Sequence, residues 1–593
     1  MAGRLPALVA SAAVGAAALL ATGLVPAKVD RTNCTRVVVS SSTEKGDLVK
    51  QLADRYNRAD RAVGGRCVQV DAYQLTSGRG LTQIKDGWRS PVDGQPRPHV
   101  WLPSTSLWVD LLEHQAVSPM VVWGRDKSIA RSPLVFAMPR VMAEHLSGQV
   151  GEIRWEHLQR LANEGWGAFG KPEWGPFAMG KDSARLSSSG LAATISTYAA
   201  GIAKDGRSDY DDEALLDPDV ISFVKNIESS VAYYDDDSVV FLGHLYREDR
   251  KGRDVPYISG MIMQEQMAFL YNSGAPTGKV ADVGHNPEPN DPLVAVQPGE
   301  GTVMLDHPFA VLSNADSTVR AAARDFHDFL LEREQQEAFV ATGFRRQDGK
   351  PQQGIADKVG DRDLKEVKLI KTPPAAAVEK ILDGWDVARR RARVLLVLDV
   401  SGSMKELADP GSIHSATRLD VVKAAVERGL GLLDNDDEVG LWTFSSAADP
   451  AVPPYTEVVP ISPVGAVKER LKTAVAALEP NGDTALYDTV RAARQEVLAD
   501  LDRSKINAVV LLSDGADTSS RQVGKEQLLA ESDATQLETS VRIFTIPFGH
   551  DADVATLAEI AAVSKAGSYD ASNPVDIDQV FTRVFNHFFR NER

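Results

Sequence analysis

Hydrophobic and polar positions alternate along this chain with two different periods, and the last third of the chain shows both. Four short apolar runs are separated by stripes in which apolar residues recur every three or four positions. The runs cover residues 394–398, 439–444, 508–512 and 541–546, and the stripes cover 464–478 and 486–501. Continuously apolar runs are typical of parallel strands that are covered on both faces. The pattern predicts an α/β domain over residues 391–593, with a doubly wound, mainly parallel sheet that binds ligands beyond the carboxyl ends of its strands.

A second α/β block precedes this domain, between about residues 33 and 365. Its strand-like runs, each bounded by turn formers, lie at 37–39, 100–102, 134–138 and 302–305. Helical patterns stand between them, an alternation that predicts crossover units on a mainly parallel sheet. A further sub-block is predicted to be inserted inside the first. Residues 366–390, which contain a Pro-Pro-Ala-Ala-Ala segment, have the composition of a linker.

Hydroxyl-rich segments follow several strand-like runs of the N-terminal block. Hydroxyls and free amides at helix N-termini can bind an anion or another polar ligand without a basic side chain. Plain N-capping of three helices explains the same residues equally well. The candidate ligand contacts are Ser41, Ser42, Thr43, Ser104, Thr105, Ser106, Ser187, Ser188 and Ser189.

The beginning of the chain points to a compartment outside the cytoplasm. From Leu5 to Pro26 the chain carries no charge, and this run matches the roughly 20 residues that cross a bilayer. Because Arg4 precedes the run, the residues after Lys28 are expected outside the cytoplasm. Residues 1–30 are therefore predicted to be a signal peptide or a membrane anchor helix, with cleavage left open. A buried core helix is the less favoured alternative.

The chain contains two cysteines, Cys34 and Cys67, and each stands just before a β-branched run. They are expected at the starts of neighbouring parallel strands. Outside the cytoplasm such a pair is typically bridged, and closing a loop of this size stabilises by about 3–4 kcal/mol in chain-entropy models. Two unpaired buried thiols are the alternative.

Charge and missing motifs narrow the function classes. With 65 Lys and Arg against 82 Asp and Glu, the formal net charge is -17, a field that repels phosphate backbones and argues against nucleic-acid binding. The sequence has no G-x-S-x-G elbow, no phosphate-binding loop and no carboxylate pair that can be placed across a cleft, so no enzyme activity is predicted. His307 is expected to be structural. The acidic run 235–237 is more typical of a solvated loop than of a calcium site.

Five oxygen-bearing side chains are predicted to meet at the carboxyl edge of the C-terminal sheet. Asp399, Ser401 and Ser403 alternate where the first strand ends, Asp514 follows another strand, and Thr484 opens a helix. Hard oxygen donors with few charges suit a small divalent cation that keeps some of its water, and no Cys or His cluster has zinc spacing. The five residues predict a site for Mg²⁺ or Mn²⁺. A domain of the same fold with an empty site is the alternative.

The motifs that hold these residues are D-V-S-G-S, G-D-T-A-L-Y-D and L-L-S-D-G. Together they resemble the metal-ion-dependent adhesion site of von Willebrand factor type A domains. The resemblance implies that Ser401, Ser403 and Thr484 coordinate the ion directly or nearly so, and that Asp399 and Asp514 act directly or through waters. It also implies that a carboxylate from an acidic protein partner completes the coordination shell.

The N-terminal block is similar to two-lobed extracellular solute-binding proteins that serve transporters. The similar segments are 40–57, 98–112, 132–140, 172–193 and 296–312. The resemblance implies one lobe formed by about 33–130 and 290–365 and a second lobe between them. It also implies a ligand at the lobe interface, near the serines named above.

The two resemblances together imply a non-enzymatic, extracytoplasmic binding or adhesion protein that is secreted or anchored in the cell membrane by its N-terminal helix. Its type A domain is expected to bind an acidic protein partner through the metal. Its N-terminal domain is expected to capture a small-molecule or polymeric ligand. The alternative is a transport or sensing receptor whose type A domain is a docking module.

Overall fold

A computed structural model gives the structure of residues 30–571, together with 577, 580 and 584. Within that range the described residues exclude 90–93, 205, 236, 253–254, 361–365, 409–415, 431–432, 434, 447–450, 503 and 534–540. The predicted leader, residues 1–30, lies outside the described residues except for Asp30. In the described part of the chain, no helix is long and apolar enough to cross a membrane.

The strands of the described residues form three sheets. They are β1 Asp30–Ser41, β2 Ala62–Val63, β3 Arg66–Gln74, β4 Val100–Leu102, β5 Val121–Trp123, β6 Ser132–Pro139, β7 Met179–Asp182, β8 Val231–Asp235, β9 Gly260–Gln264, β10 Leu293–Val296, β11 Met304–Leu305, β12 Ala310–Leu312, β13 Ala392–Asp399, β14 Glu438–Phe444, β15 Tyr455–Pro463, β16 Ile506–Ser513 and β17 Arg542–Pro547.

Helices cover both faces of these sheets. They are α1 Gly46–Arg58, α2 Ser77–Lys85, α3 Ser106–Gln115, α4 Arg140–Val150, α5 Trp155–Glu164, α6 Ser188–Ala203, α7 Asp212–Leu215, α8 Pro218–Ser229, α9 Ser238–Asp249, α10 Glu265–Asn272, α11 Ser317–Leu330, α12 Arg333–Ala341, α13 Gln353–Val359, α14 Ala375–Ala388, α15 Arg418–Leu430, α16 Val464–Ala476, α17 Leu486–Ala499, α18 Lys525–Ser532 and α19 Val554–Val563. Short 3-10 helices cover Thr43–Lys45, Trp166–Phe169, Pro172–Trp174, Val280–Asp282 and Gly402–Lys405.

The first lobe is built on a six-stranded sheet in the order β2-β3-β1-β4-β12-β5. Strands β1, β3 and β4 run parallel, whereas β2, β12 and β5 pair antiparallel. Val37 and Val39 of β1 are buried in a core that α1 and α11 complete. A disulfide joins Cys34 to Cys67 near the starts of β1 and β3, so both the predicted bridge and the predicted parallel pairing are confirmed.

The second lobe is built on the sheet β10-β6-β9-β7-β8, with β11 added to β6. Its β7 is parallel to β8 and β9, and β6 is antiparallel to β9 and β10, so both lobe sheets combine parallel and antiparallel pairs. The chain returns to the first lobe after Leu305, later than the predicted position near 290, because β10 and β11 still pair with β6. Helix α13 also packs on α10 and β10 of the second lobe, although the sequence placed this segment in the first.

The C-terminal sheet has the order β15-β14-β13-β16-β17. Strand β13 is central and runs parallel to β14 and β16, β17 is parallel to β16, and the edge strand β15 is antiparallel. Every residue of β13 and β16 is buried, as continuously apolar runs predict. The predicted fold class is confirmed.

The segment predicted as a linker contains helix α14. Its apolar stripe, which includes Val378, Ile381, Leu382 and Trp385, is buried. The helix packs on α3 of the first lobe and on α6 and α8 of the second, and the chain then enters β13. One continuous cluster of buried apolar side chains therefore runs from both lobes through α14 into the C-terminal sheet.

Candidate functional sites

The carboxyl ends of β13 and β16 lie side by side and position the predicted metal residues. Strand β13 ends at Asp399, and its parallel neighbour β16 leads directly into Asp514. The loop before α17 reaches the same edge, because the amide of Gly402 donates to the carbonyl of Gly482 at 2.8 Å. Thr484 follows two residues later. Three separate segments of the chain thus meet at one edge of the sheet.

Hydrogen bonds connect the side chains at this edge. The hydroxyl oxygens of Ser401 and Ser403 are 3.0 Å apart, and the Ser403 hydroxyl donates to Oδ1 of Asp514 at 2.8 Å. Oδ1 of Asp399 accepts the backbone N–H of Ser401 at 2.8 Å. Thr484 borders Asp514, because its Oγ1 is 3.5 Å from the position that a Cβ on the next residue, Gly515, would take. All five predicted residues therefore lie together.

Two of the five side chains are fully buried carboxylates. Burial, reinforced by the charge of Asp514, raises the pKa of Asp399 to about 6. Arg418, the first residue of α15, donates to Oδ2 of Asp514 at 3.0 Å. Asp399 is instead held by the Ser401 amide and the Ser513 hydroxyl. Among the described residues, no cationic side chain is paired with Asp399.

The donor chemistry of this edge fits Mg²⁺. Three hydroxyls and two carboxylates are hard oxygen donors with a combined charge that a divalent ion balances, and hydroxyl ligands leave room for water. In the described residues, no group of three or more His, Cys, Asp or Glu side chains is placed to hold a metal ion. The residues that would hold Mg²⁺ are Asp399, Ser401, Ser403, Thr484 and Asp514.

A second polar site lies between the two lobes of the N-terminal domain. The closed lobes leave a cavity of only about 20 Å³ here, and its lining consists of nine hydroxyl side chains, two carboxylates, one amide and two apolar side chains. The first lobe contributes Ser42, Thr43, Glu44, Thr76, Ser77 and Ser104. The second lobe contributes Leu186, Ser187, Ser188, Ser189, Asp237, Ser238, Gln264 and Met267.

The Glu44 carboxylate is surrounded by donors. Its Oε1 accepts the hydroxyls of Ser42 at 2.7 Å and Ser104 at 2.8 Å. The same oxygen lies 3.5 Å from Nζ of Lys45 and 3.6 Å from Nδ1 of His307. Burial acts to raise the pKa of Glu44, but these neighbours outweigh burial and lower the pKa to about 2. Glu44 is therefore ionised at neutral pH.

His307 connects the two lobes behind Glu44. Its ring is fully buried, and its Nε2 lies 2.9 Å from Oε1 of Gln264 in the second lobe. Its backbone N–H donates to the carbonyl of Ser104 at 3.0 Å. Burial lowers the pKa of His307 well below the usual range, so the ring is neutral. These contacts give His307 a structural position at the lobe junction.

The second lobe supplies two further acids beside the cleft. Oδ2 of Asp182 accepts the hydroxyl of Ser187 at 2.6 Å and also that of Ser238. Asp237 caps α9 by accepting the N–H of Val239 at 3.1 Å. Burial raises the pKa of Asp237 to about 6.

Contacts across the cleft hold the lobes together. The indole Nε1 of Trp108 in the first lobe donates to the hydroxyl of Ser188 at 2.8 Å. The Ser188 hydroxyl donates in turn to that of Ser77 at 3.2 Å. The amide of Gly78 donates to the carbonyl of Leu186 at 3.0 Å. The structure is therefore that of a closed cleft.

Comparison with protein families decides what this architecture is. The family model of the bacterial extracellular solute-binding protein matches residues 37–345, just over half of the chain. The chain belongs to this family. A second model, the von Willebrand factor type A domain, matches residues 394–516, which include all five residues of the sheet-edge site. Both resemblances predicted from the sequence are confirmed, and the two parts are called the solute-binding domain and the type A domain below.

Relatives of the whole chain and of its parts are known. An uncharacterized protein of Mycobacterium tuberculosis, present in strains H37Rv and CDC 1551, is 24% identical over 569 residues, which cover 90% of this chain and 73% of the relative. Among solved structures, a periplasmic thiamin binding protein shares 11% identity with a TM-score of 0.40, over 61% of this chain and 99% of that one. The sulfate-binding protein of M. tuberculosis H37Rv shares 18% identity with a TM-score of 0.35, over 59% and 96% of the two chains. A von Willebrand factor type A protein from Catenulispora acidiphila shares 19% identity with a TM-score of 0.28, over 33% and 42%.

Membership of the solute-binding family places the protein outside the cytoplasm, as a binding protein for a small-molecule ligand. Both matched families are binding or adhesion modules and not enzymes.

Most of the serines singled out in the sequence line the cleft. Those that do are Ser42, Thr43, Ser104, Ser187, Ser188 and Ser189. The other three lie outside the lining, where local bonding explains them. Ser41 donates to the carbonyl of Ser42 at 3.2 Å, Thr105 caps α3 through the N–H of Leu107, and the N–H of Ser106 donates to Asp306.

Sequence reasoning missed the acids of the cleft and several of its neighbours. Asp237, in the run interpreted as a solvated loop, lines the cleft instead, because it caps the helix that starts there. Thr76–Ser77 and Asp237–Ser238 each lie between a strand and a helix, as the predicted serines do, so the same signal could have identified them. No comparable signal marks Glu44, Gln264 or Met267.

Proposed function

We propose that the type A domain of this extracytoplasmic binding protein holds Mg²⁺, or Mn²⁺ in its place, and through it binds an acidic protein partner at the cell envelope. The solute-binding domain captures a small-molecule or polymeric ligand. Residues 1–30 anchor the protein at the membrane. The observation that carries the metal-dependent function is the convergence of five oxygen-bearing side chains at one sheet edge.

The chain prepares this edge through contacts of its own. The Ser513 hydroxyl orients Asp399, and Ser403 and Arg418 orient the two oxygens of Asp514. When bound, the ion supplies a Lewis-acidic position that accepts a carboxylate oxygen. Because three of the five ligands are neutral hydroxyls, the ion keeps part of its charge available for a partner's acid group.

Recovery of binding partners from native cell envelopes tests this function. With the full chain as bait, partner recovery is expected to be lost in chelator, restored by Mg²⁺, and absent for Asp399→Ala at any Mg²⁺ concentration. Asp436→Ala is the matched control, because Asp436 is exposed at the amino end of the strands and its loss leaves the site intact. Recovery of the same partners by Asp399→Ala, or in chelator, contradicts the proposal.

The second candidate function is solute reception, with the type A domain as a docking module that does not depend on a metal. The observation that favours it is α14, which contacts both lobes and leads directly into the type A sheet. It predicts a strong rise in melting temperature with a small-molecule ligand and partner recovery that chelator leaves unchanged. Chelator-sensitive recovery rejects it in favour of the first.

A further inference from the structure

The hydroxyl groups of the first lobe are already used as hydrogen-bond donors within the cleft. A hydroxyl has one hydrogen to donate, and an ionised carboxylate only accepts. The hydroxyls of Ser42 and Ser104 both bond to Oε1 of Glu44, at 2.7 and 2.8 Å. Both must therefore donate to Glu44. What they still offer to a bound solute is their lone pairs.

The second lobe repeats this arrangement. The hydroxyls of Ser187 and Ser238 donate to the carboxylate of Asp182. Thr43 of the first lobe bonds to the carboxylate of Asp237 across the cleft. Five of the nine hydroxyls in the lining are thus directed at carboxylates of the protein. The hydroxyl-rich lining therefore offers a ligand mainly hydrogen-bond acceptors.

The charge of the lining also favours a ligand that donates hydrogen bonds. None of the residues that line the cleft is Lys, Arg or His, whereas Glu44 and Asp237 are acids. The nearby ammonium group of Lys45 is fully buried, and its Nζ donates to the carbonyls of Leu102 at 3.0 Å and Pro103 at 3.4 Å. Nζ also donates to the hydroxyl of Ser42, so Lys45 balances Glu44 from behind and takes up one lone pair of a lining hydroxyl, but does not itself line the cleft.

Helix N-termini are the features that would favour an anion here, because their free amides and dipoles attract negative charge. Helices α2, α6 and α9 begin at the cleft. The N-cap of α2, Thr76, makes no side-chain cap bond, but the N–H of Gly78 in its first turn donates to the carbonyl of Leu186, whereas α6 and α9 are capped by their own residues. Ser187 accepts the N–H of Ser189 at 3.2 Å, and Asp237 accepts the N–H of Val239 at 3.1 Å. The negative charge of the Asp237 carboxylate also compensates the positive end of the α9 dipole. The helix starts therefore leave little to attract an anionic solute.

We infer that the cleft binds a small solute that donates hydrogen bonds, a neutral or cationic amine, amide or polyol, and that it rejects a fully deprotonated oxyanion such as sulfate. This inference rests on the capture of a solute between the lobes and narrows it to one ligand class. Sulfate carries acceptors only, so it would meet the lone pairs of five hydroxyls and two carboxylates with few donors to satisfy it. A donor-rich solute pairs with the same groups.

Two small probes of opposite hydrogen-bonding character test the inference on the full chain. Ethylenediammonium has only donors, and sulfate has only acceptors. In calorimetric titrations at fixed ionic strength, the unmodified protein is expected to bind ethylenediammonium at least about tenfold more tightly than sulfate. Neutralising the cleft with Asp237→Asn, and further with Glu44→Gln/Asp237→Asn, is expected to reverse this order.

The variants are chosen to separate charge from folding. Asn caps a helix as well as Asp does, so Asp237→Asn alone keeps the test decisive if the double variant does not fold. Asp126→Asn/Glu156→Gln removes two exposed carboxylates outside the cleft lining and should leave the order unchanged.

Each remaining outcome overturns the inference. If the unmodified protein bound sulfate more tightly, the cleft would still be a solute site, but its ligand would not be a hydrogen-bond donor. Binding of neither probe, or an order that neutralisation does not change, would reject the role assigned to the carboxylates. The metal-dependent function of the type A domain is tested separately, by partner recovery with chelator and Mg²⁺, so its failure is distinguishable from all of these.

Discussion

The cleft of the solute-binding domain and the edge of the type A sheet are built from the same residue types, but their buried charge is balanced differently. In both, Ser, Asp and Glu residues follow strands and lead into helices or turns. In the cleft, Glu44 lies 3.5 Å from the buried Lys45, and its pKa is lowered to about 2. At the type A edge, the pKa of Asp399 is raised to about 6, and no cationic side chain among the described residues is paired with it.

The difference separates two uses of a buried carboxylate. One that carries its own internal cation shapes the lining of a site and orients neighbouring hydroxyls. One that lacks a cation is costly to keep ionised and gains most when an ion from solution binds. Glu44 therefore suits the cleft to a solute recognised by hydrogen bonds, and Asp399 suits the type A edge to a metal ion. The second cleft acid, Asp237, has a pKa raised to about 6 as Asp399 does, and it favours a cationic group on that solute.

Removing the disulfide is expected to cause the largest loss of stability. The loss should be confined to the solute-binding domain. The loop closed between Cys34 and Cys67 spans 33 residues, so Cys34→Ser/Cys67→Ser should lower the free energy of unfolding by about 3–4 kcal/mol. Denaturant unfolding with and without reductant measures this, because the chain has no other cysteine. Metal affinity should stay unchanged. An unchanged unfolding midpoint, or a weaker metal site, would contradict the separation of the two regions.

Adding a single methyl group is expected to hold the cleft open. A Cβ on Gly78 would lie 2.0 Å from the carbonyl oxygen of Arg185 in the opposite lobe, and a backbone contact cannot be relieved by a side-chain rotation. Gly78→Ala should disfavour the closed form by about 3 kcal/mol, roughly a 100-fold shift towards the open form. Small-angle scattering should show a larger radius of gyration. Gly148→Ala is the control, because nothing lies within 4 Å of its Cβ position. An unchanged radius for Gly78→Ala would show that the lobes close without this contact.

The pH dependence of stability should reveal Asp237. Its pKa in the folded protein is about 6, above the ordinary 3.8, so its contribution to stability is fully present below about pH 4 and is lost as the pH rises through 6. Allowing for partial exposure, this amounts to about 2 kcal/mol. Asp237→Asn should remove that loss and be the more stable protein at pH 7. Urea unfolding from pH 4 to 7 measures the difference, and parallel curves for the two proteins would refute the assignment.

An effect of similar size is expected beside the cleft, where Arg185 contacts α14. Arg185, next to the cleft residue Leu186, donates to the buried Asp386 of α14 at 2.9 Å and to Asp383 at 3.0 Å. Arg185→Ala leaves Asp386 without this partner, which should cost about 2 kcal/mol after allowance for the partial exposure of the arginine. Arg346→Ala, which removes an exposed ion pair with Glu337, should cost less than about 0.5 kcal/mol. Equal losses of stability in Arg185→Ala and Arg346→Ala would mean that the contact with α14 stabilises the protein no more than an exposed ion pair does. A change in metal affinity in Arg185→Ala would mean that the two regions are coupled.

Much of the fold of the type A domain was predictable because its strands are long and its pattern is regular. The runs at 394–398 and 508–512 fall inside β13 and β16, and the stripes at 464–478 and 486–501 mark α16 and α17. Strand β15 escaped prediction because it is a half-exposed edge strand with prolines at 460 and 463, and proline weakens the strand pattern.

The solute-binding domain was less predictable because its decisive features depend on pairing between distant segments. Strands β10 and β11 have four and two residues, too few to show a period, and they moved the lobe boundary to Leu305. Glu44 stands in a short helical turn that reads as an ordinary helix start. Its role depends on Ser104 and His307, which lie far away in the sequence and come close only in the folded lobes.

Anomalous diffraction from crystals of the full chain grown with Mn²⁺ shows whether the type A edge binds a hard divalent ion. We expect one strong anomalous peak in contact with the hydroxyls of Ser401 and Ser403, and no such peak in crystals of Asp399→Ala. The contradicting result is an edge without a peak in the unmodified protein, with all five side chains ordered and Mn²⁺ in excess.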